Sequence, residues 1–318
     1  MTIDSDLPEV HHPSARRGSA SAQARTDGLG VPLAPVTRTG PRAPWTTVGG
    51  MSPSSPAHAA GISAGAAAAL VDALVADVAG TDVARHVAAH RVLRESPAGR
   101  AVGPVVVPVS RLAGLLDALD QGPRSTPLGV LLRADTGLVE AAEARAVLLD
   151  DIRVELVGLQ VALPADGPLG DSASLTLHSL DFALPATIAV PNAPGWRDAV
   201  TVLAEDGVER ALVPATPFDA EYAAELVVAC VRGGLGLAFA AGHQPLPALA
   251  AVAAALQGRE PAHVHALLVE SDPVPLLAVL ADADPVAVRR SLAYVGADDA
   301  AAALVGLVVL GLLQPDEG

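Results

Sequence analysis

The chain has 318 residues, 51% of them apolar but only 2% aromatic, so any core it builds is made of Ala, Val and Leu. It carries a net charge of −15, and its twenty cationic side chains are all Arg. That balance excludes lysine Schiff-base chemistry and argues against nucleic acid or an anionic membrane as a partner. Cys230 is the single cysteine, which excludes an intramolecular disulfide.

Residues 1–58 are rich in Pro, Ser, Thr, Gly and Arg and are expected to form a disordered tail, because they hold too little apolar surface to offset ordering entropy. Trp45 and Met51 could form a small docking element within it. The first residues show no apolar run behind a charged start, which points to a cytoplasmic protein. The longest apolar run, Ala300 to Leu313, is short for a membrane span and reads as a C-terminal helix.

Residues 59–100 read as a helical extension. Leu70, Leu74 and Val78 recur at helical spacing, giving a helix from Ala66 to Val78, and Thr81-Asp82 can cap a second helix running to about Glu95. From residue 101 short apolar runs alternate with helical stretches. The expected strands are Pro104 to Val109, Leu128 to Arg133, Ile152 to Leu163, Thr187 to Val190, Arg210 to Val213, Leu235 to Ala240, His263 to Val269 and Ser291 to Val295. Leu169 to Phe182 reads as irregular or weakly helical. Asp219 caps a helix that Gly233-Gly234 closes, and Ala297 to Leu313 forms the last helix.

Eight strand–helix units over residues 101–315, with strands apolar throughout rather than alternating, predict an α/β fold: a parallel (β/α)8 TIM-like barrel. An open doubly wound sheet is the alternative. No GxGxxG follows a first strand and no GxxxxGK[ST] occurs, so the usual nucleotide sites are not expected.

Several segments resemble an uncharacterised bacterial family of hypothetical proteins that carries KLRTGG, FKATAGLHHP and HGFLN motifs. Val105 to Leu112 (VVVPVSRL), Leu237 to Pro245 (LAFAAGHQP), His263 to Leu267 (HVHAL) and Leu310 to Leu313 (LGLL) carry the resemblance. It covers roughly residues 100–313 and implies the same barrel. It also implies degeneracy. The KLRTGG lysine and arginine fall on Ala211 and Val213, a second lysine on Ala238, one of the paired histidines on Gln244, and the HGFLN asparagine on Leu267.

In a barrel of this kind chemistry sits at the C-terminal ends of the strands. Candidates there are Ser110, Arg133, Asp135, Asn192, Thr216, His243, Glu270, Asp272, Asp298 and Asp299. Ser110, Asp298 and Asp299 also suit helix capping. His243 is the candidate catalytic residue, because a neutral imidazole in a stiff loop past a buried strand can serve as acid or base. Arg133, Asn192 and Asp135 are the candidate ligand-binding residues. His263 and His265 would share one strand face, but at the end of the barrel opposite His243, so no metal site and no cofactor are expected. Two readings follow: a catalytically degenerate barrel that binds a protein partner or small molecule, or an enzyme on a small organic acid or sugar-phosphate-like substrate. An apolar final helix leaves a homo-oligomer open.

Overall fold

The computed structural model describes residues 55–121, 126–180, 184–205, 208, 210–215 and 218–314. The expected tail lies outside them up to residue 54, as do Trp45, Met51 and Thr216. Ser55 already caps the first helix, three residues before the expected boundary at 58.

Helices α1 (Pro56–Ala59) and α2 (Ala64–Val71) precede β1 (Val75–Val78). Then follow α3 (Val83–Arg94), β2 (Val102–Pro108), α4 (Leu112–Gln121), β3 (Leu128–Arg133), α5 (Leu138–Leu149), β4 (Val154–Ala162), α6 (Leu169–Ser179), β5 (Ala186–Ala189), α7 (Trp196–Glu205), β6 (Arg210–Val213), α8 (Ala220–Arg232) and β7 (Gly236–Phe239). Four helices separate β7 from the last strand: α9 (Pro245–Leu256), α10 (Pro261–Val269), α11 (Pro273–Ala281) and α12 (Pro285–Ser291). Strand β8 (Leu292–Ala297) and α13 (Ala300–Val309) complete the fold. All eight strands are parallel, each pairs with its sequence neighbours, and β8 pairs with β1 to close the barrel.

Eight strands are present, but they are not the expected eight. The run Ala66 to Val78 is not one helix: α2 stops at Val71, Ala73 turns with a positive φ of 47°, and Val75–Val78 becomes the first strand. Residues 59–100 are therefore not an extension, since they supply the first β/α unit. Each strand from β2 to β7 moves up one place, so the strand before His243 is the seventh. The expected strand at 263–269 is helix α10 instead. Pro261 opens it at the first helical position, and it packs on α8 and α9. Residues 169–179, expected to be irregular or weakly helical, form the regular helix α6.

Strand alternation divides the core into two shells. The lumen cluster comprises Ala76, Val106, Leu131, Leu212, Ala238 and Tyr294. The alternate residues, among them Val105, Leu132, Ile188, Val213 and Phe239, are buried against the surrounding helices. Burial on both faces explains why the strands read as unbroken apolar runs. The lumen residues are small, and Tyr294 fills the space they leave.

Helix α9 has an unusual position. Ala248 to Ala254 are all 0% exposed, so no face of the helix reaches solvent. It packs on α8, α10, α11, α12 and β8, which makes the β7–β8 crossover two helices deep. Its sequence, PLPALAAVAAAL, is apolar on every side, as a sealed helix requires.

Candidate functional site

The lumen is closed at mid-height. Tyr294 on β8 points across to β4, where its hydroxyl accepts a hydrogen bond from Gln160 Nε2 at 3.2 Å. Burial pushes the Tyr294 phenol up to about 12, while the neighbouring Thr187 hydroxyl and the bond from Gln160 pull the other way. Gln160, Thr187 and Tyr294 are all buried, and Tyr294 belongs to the same lumen cluster as Ala76, Val106 and Leu131, so a polar belt crosses the barrel at that cluster.

Beside that belt, the pairing of Pro108 with Arg133, and of Arg133 with Gln160, places Arg133 on the lumen face at the last position of β3. Its side chain is half-buried and makes no hydrogen bond or ion pair among the described residues. Around it the lumen face of the strand ends carries Val78, Pro108, Ala162, Ala189, Ala240 and Gly296. A Cβ on Gly296 would meet Ala241 N at 2.8 Å, so the chain leaving β7 crosses close to the mouth there. The mouth is thus a small-walled cup with one guanidinium.

The other candidates are engaged elsewhere. Asp135 accepts from Ser110 Oγ at 2.5 Å and from Ser110 N at 3.1 Å, tying the β2–α4 loop to the β3–α5 loop. Partial burial works to raise the Asp135 carboxyl, but the Ser110 bonds and the charge of Arg133 hold it below its ordinary value. Asn192 donates from Nδ2 to Asp219 Oδ2 at 2.9 Å, and Asp219 caps α8 as expected. Asp272 and Asp299 are the N-caps of α11 and α13. Asp298, before α13, is exposed.

His243 lies past the end of β7, as expected, but faces the helix layer rather than the lumen. Its ring stands edge-on to Phe239 and Phe218, with centroids 5.0 and 5.2 Å away. Its Nε2 is 3.1 Å from the Pro214 carbonyl, which can only accept, so Nε2 carries the proton and Nδ1 is the acceptor. Burial lowers the His243 pKa, and the Pro214 carbonyl opposes it in part. The ring borders a cavity of about 200 Å³ whose walls include Phe218, Gln244, Pro247, Leu268 and Glu270, but neither Arg133 nor Asn192. The expected grouping of His243, Arg133 and Asn192 around one ligand is absent from this cavity.

His263 and His265 lie on α10, where a two-residue step is about 200° of turn. They do not share a face, and among the described residues no group of three His, Cys, Asp or Glu is arranged to hold a metal. Cys230 is fully buried, and burial pushes its thiol up to about 12. Of the positions that the family resemblance marks, Ala238 faces the lumen, whereas Ala211 and Val213 alternate with the lumen residue Leu212 and face the helices.

One cluster was missed. Asp77 on β1 is 3% exposed and meets His86 Nε2 at 2.6 Å; His90 Nδ1 is 3.4 Å away, within ion-pair reach but without hydrogen-bond geometry. Burial works to raise the Asp77 carboxyl, yet the two imidazoles outweigh it and keep the group below its ordinary value. The bond to Asp77 raises His86, with the charge of Asp298 adding to it against burial. The i, i+4 spacing of His86 and His90 was visible in the sequence. Reading Asp77 as helical hid its partnership with them.

A groove of about 510 Å³ runs between α9, α11 and α13, lined largely by apolar residues such as Pro245, Leu276 and Leu307. No helix among the described residues is long and apolar enough to cross a membrane. The molecule is a closed (β/α)8 barrel with a half-buried Arg133 at the lumen-side end of β3 and a cavity beside His243. No protein-family model matches the chain, and no curated protein is similar enough to count as a relative.

Proposed function

We propose that this protein is a catalytically degenerate barrel that binds a small anionic molecule at the C-terminal mouth, with Arg133 as the anchor. The observation that carries this reading is the half-buried Arg133 side chain on the lumen face, which makes no hydrogen bond or ion pair among the described residues and is felt only through its charge by Asp135. A guanidinium presents a fork of donors that matches carboxylate or phosphate oxygens. The neighbouring strand-end side chains among the described residues, Val78, Pro108, Ala162, Ala189 and Ala240, are small and supply no general base. The resemblance to a family with charged motifs supports degeneracy at Ala238, where a lumen lysine is expected.

The second reading is an enzyme on a small organic acid or sugar-phosphate-like substrate, with His243 as acid or base. The observation in its favour is a neutral imidazole bordering a cavity. Against it, Arg133 and Asn192 are not in that cavity.

The test is thermal denaturation with small carboxylates and sugar phosphates on wild type, Arg133→Gln and His243→Ala. A ligand at about ten times its Kd adds roughly 1.4 kcal/mol, a shift of roughly 3–5 °C for a domain this size. The expected result is an anion-dependent shift lost in Arg133→Gln and kept in His243→Ala. A shift lost only in His243→Ala, with turnover of the same ligand, would establish the enzyme reading instead.

A further inference from the structure

We infer that the cavity between His243 and Glu270 is a second binding site, built for a small organic ammonium ion. The argument rests on what its polar walls can offer. His243 donates from Nε2 to the Pro214 carbonyl, which leaves Nδ1 as an acceptor with no protein partner among the described residues. Glu270 uses Oε1 to accept from Ser271 N and Asp272 N, each at 2.8 Å, and its Oε2 accepts from nothing among the described residues. Both of these groups accept, and the Gln244 amide that also lines the cavity can present its oxygen to a donor as readily as its nitrogen to an acceptor, so a donor ligand is met by all three.

The helix that begins at this cavity does not reverse that preference. A helix N-terminus ordinarily offers backbone N–H groups to anions. Here α9 has Pro245 and Pro247 at its first and third positions, which have no N–H, and Ala248 N already donates to Gln244 O at 3.3 Å. Only Leu246 N remains in the first turn. Phe218, 48% exposed, adds an aromatic wall of the kind that stabilises alkylated cations. About 200 Å³ suits an ammonium carrying a few carbon atoms.

The site is independent of the Arg133 mouth, and its ligand has the opposite charge. The experiment is titration calorimetry of ethylammonium chloride and sodium acetate, at fixed ionic strength, into wild type, Glu270→Gln, His243→Phe and Arg133→Gln. Glu270→Gln keeps the Oε1 acceptor for Ser271 and Asp272 and replaces Oε2 by a donor, so folding is expected to be unaffected. His243→Phe keeps an aromatic ring against Phe218 and Phe239. The expected result is saturable ethylammonium binding, weakened about tenfold or more in both cavity variants and unchanged in Arg133→Gln, in keeping with the strength of charge-assisted hydrogen bonds. Binding should also weaken at acid pH, as protonation of His243 removes its acceptor. Absence of ethylammonium binding, equal binding by Glu270→Gln, or displacement of ethylammonium by acetate would each overturn the assignment.

Discussion

Tyr294 and Gln160 sit on opposite strands of the barrel, β8 and β4, and meet through one hydrogen bond of 3.2 Å across the lumen. One of only two tyrosines in the chain therefore sits in a lumen cluster otherwise built from Ala, Val and Leu. Tyr294→Phe keeps the ring but strands the Gln160 amide, and is expected to cost about 1–3 kcal/mol. Tyr294→Ala also opens a cavity among small residues that cannot close it, and is expected to cost about 3–5 kcal/mol. Urea denaturation followed by circular dichroism measures both. Because the folded phenol titrates near 12, its contribution is full below the unfolded value of about 10 and is lost as pH rises through the folded value. A wild type as tolerant of high pH as Tyr294→Phe would contradict this.

The Asp77–His86 pair makes stability depend on pH from both sides. Asp77 is depressed, so its contribution is present above the unfolded value of about 3.9 and is lost as pH falls through the folded one. His86 is raised, so its contribution is full below about 6.5 and is lost as pH rises through the folded value. The stability lead of wild type over His86→Gln is therefore expected to be greatest between roughly pH 4 and 6.5 and to shrink on either side. Asp77→Asn, which leaves two imidazoles without their carboxylate in a buried setting, is expected to cost about 3–5 kcal/mol. Chemical denaturation across that pH range gives the profile, and NMR titration of the His86 ring gives the sign of its shift.

Ala73 is the one non-glycine residue with a positive φ among those described, and it marks the point where α2 gives way to β1. An L side chain there costs about 1–2 kcal/mol. Ala73→Gly is expected to raise stability by about 1 kcal/mol, some of the gain being offset by the greater freedom of glycine in the unfolded chain. A lower melting temperature for this variant would mean that the Ala73 methyl contributes more by packing than its backbone loses by strain.

The sealed helix α9 tolerates no added volume. Ala251 is 0% exposed and enclosed by the second layer of helices, so Ala251→Leu is expected to cost about 1–3 kcal/mol or more through overpacking. The same change at Ala142, on the outer side of α5 and exposed, is expected to fall within about 0.5 kcal/mol of wild type. Parallel thermal melts of the two variants separate enclosure from helix propensity.

Much of the architecture was legible in the residues. Strands 128–133 and 210–213 match expectation to the residue, and the expected caps Asp82, Asp219 and Asp299 have side chains that bond to the first-turn N–H groups, whereas Ser110, which also suited capping, bonds to Asp135 instead. Two segments were misread for the same reason. VADV and HVHALLV are short apolar runs, and periodicity over so few residues does not separate a strand from one or two turns of helix. Neighbours decided each. The gap between β8 and β2 took Val75–Val78 as a strand, while the faces of α8 and α9 took Pro261–Val269 as a helix.

The candidate site was legible only residue by residue. That Arg133 and His243 lie at strand ends follows from local pattern, and both do. Which way each side points depends on strand parity and on the barrel's stagger, and these are set by pairing across the whole sheet. Arg133 falls on the lumen face and His243 on the helix face, so two residues that shared one hypothesis belong to different places.

By itself the sequence determined the composition of the core, the alternation of strand and helix, the caps and the sign of the surface charge. All of these depend on side-chain chemistry within about a dozen residues along the chain. Tertiary structure alone decided that β1 closes the barrel, that Tyr294 meets Gln160 134 residues away, that Asp77 lies between His86 and His90, and that α9 is enclosed. These depend on where the closed sheet places groups distant in sequence, and only closure makes their distances short.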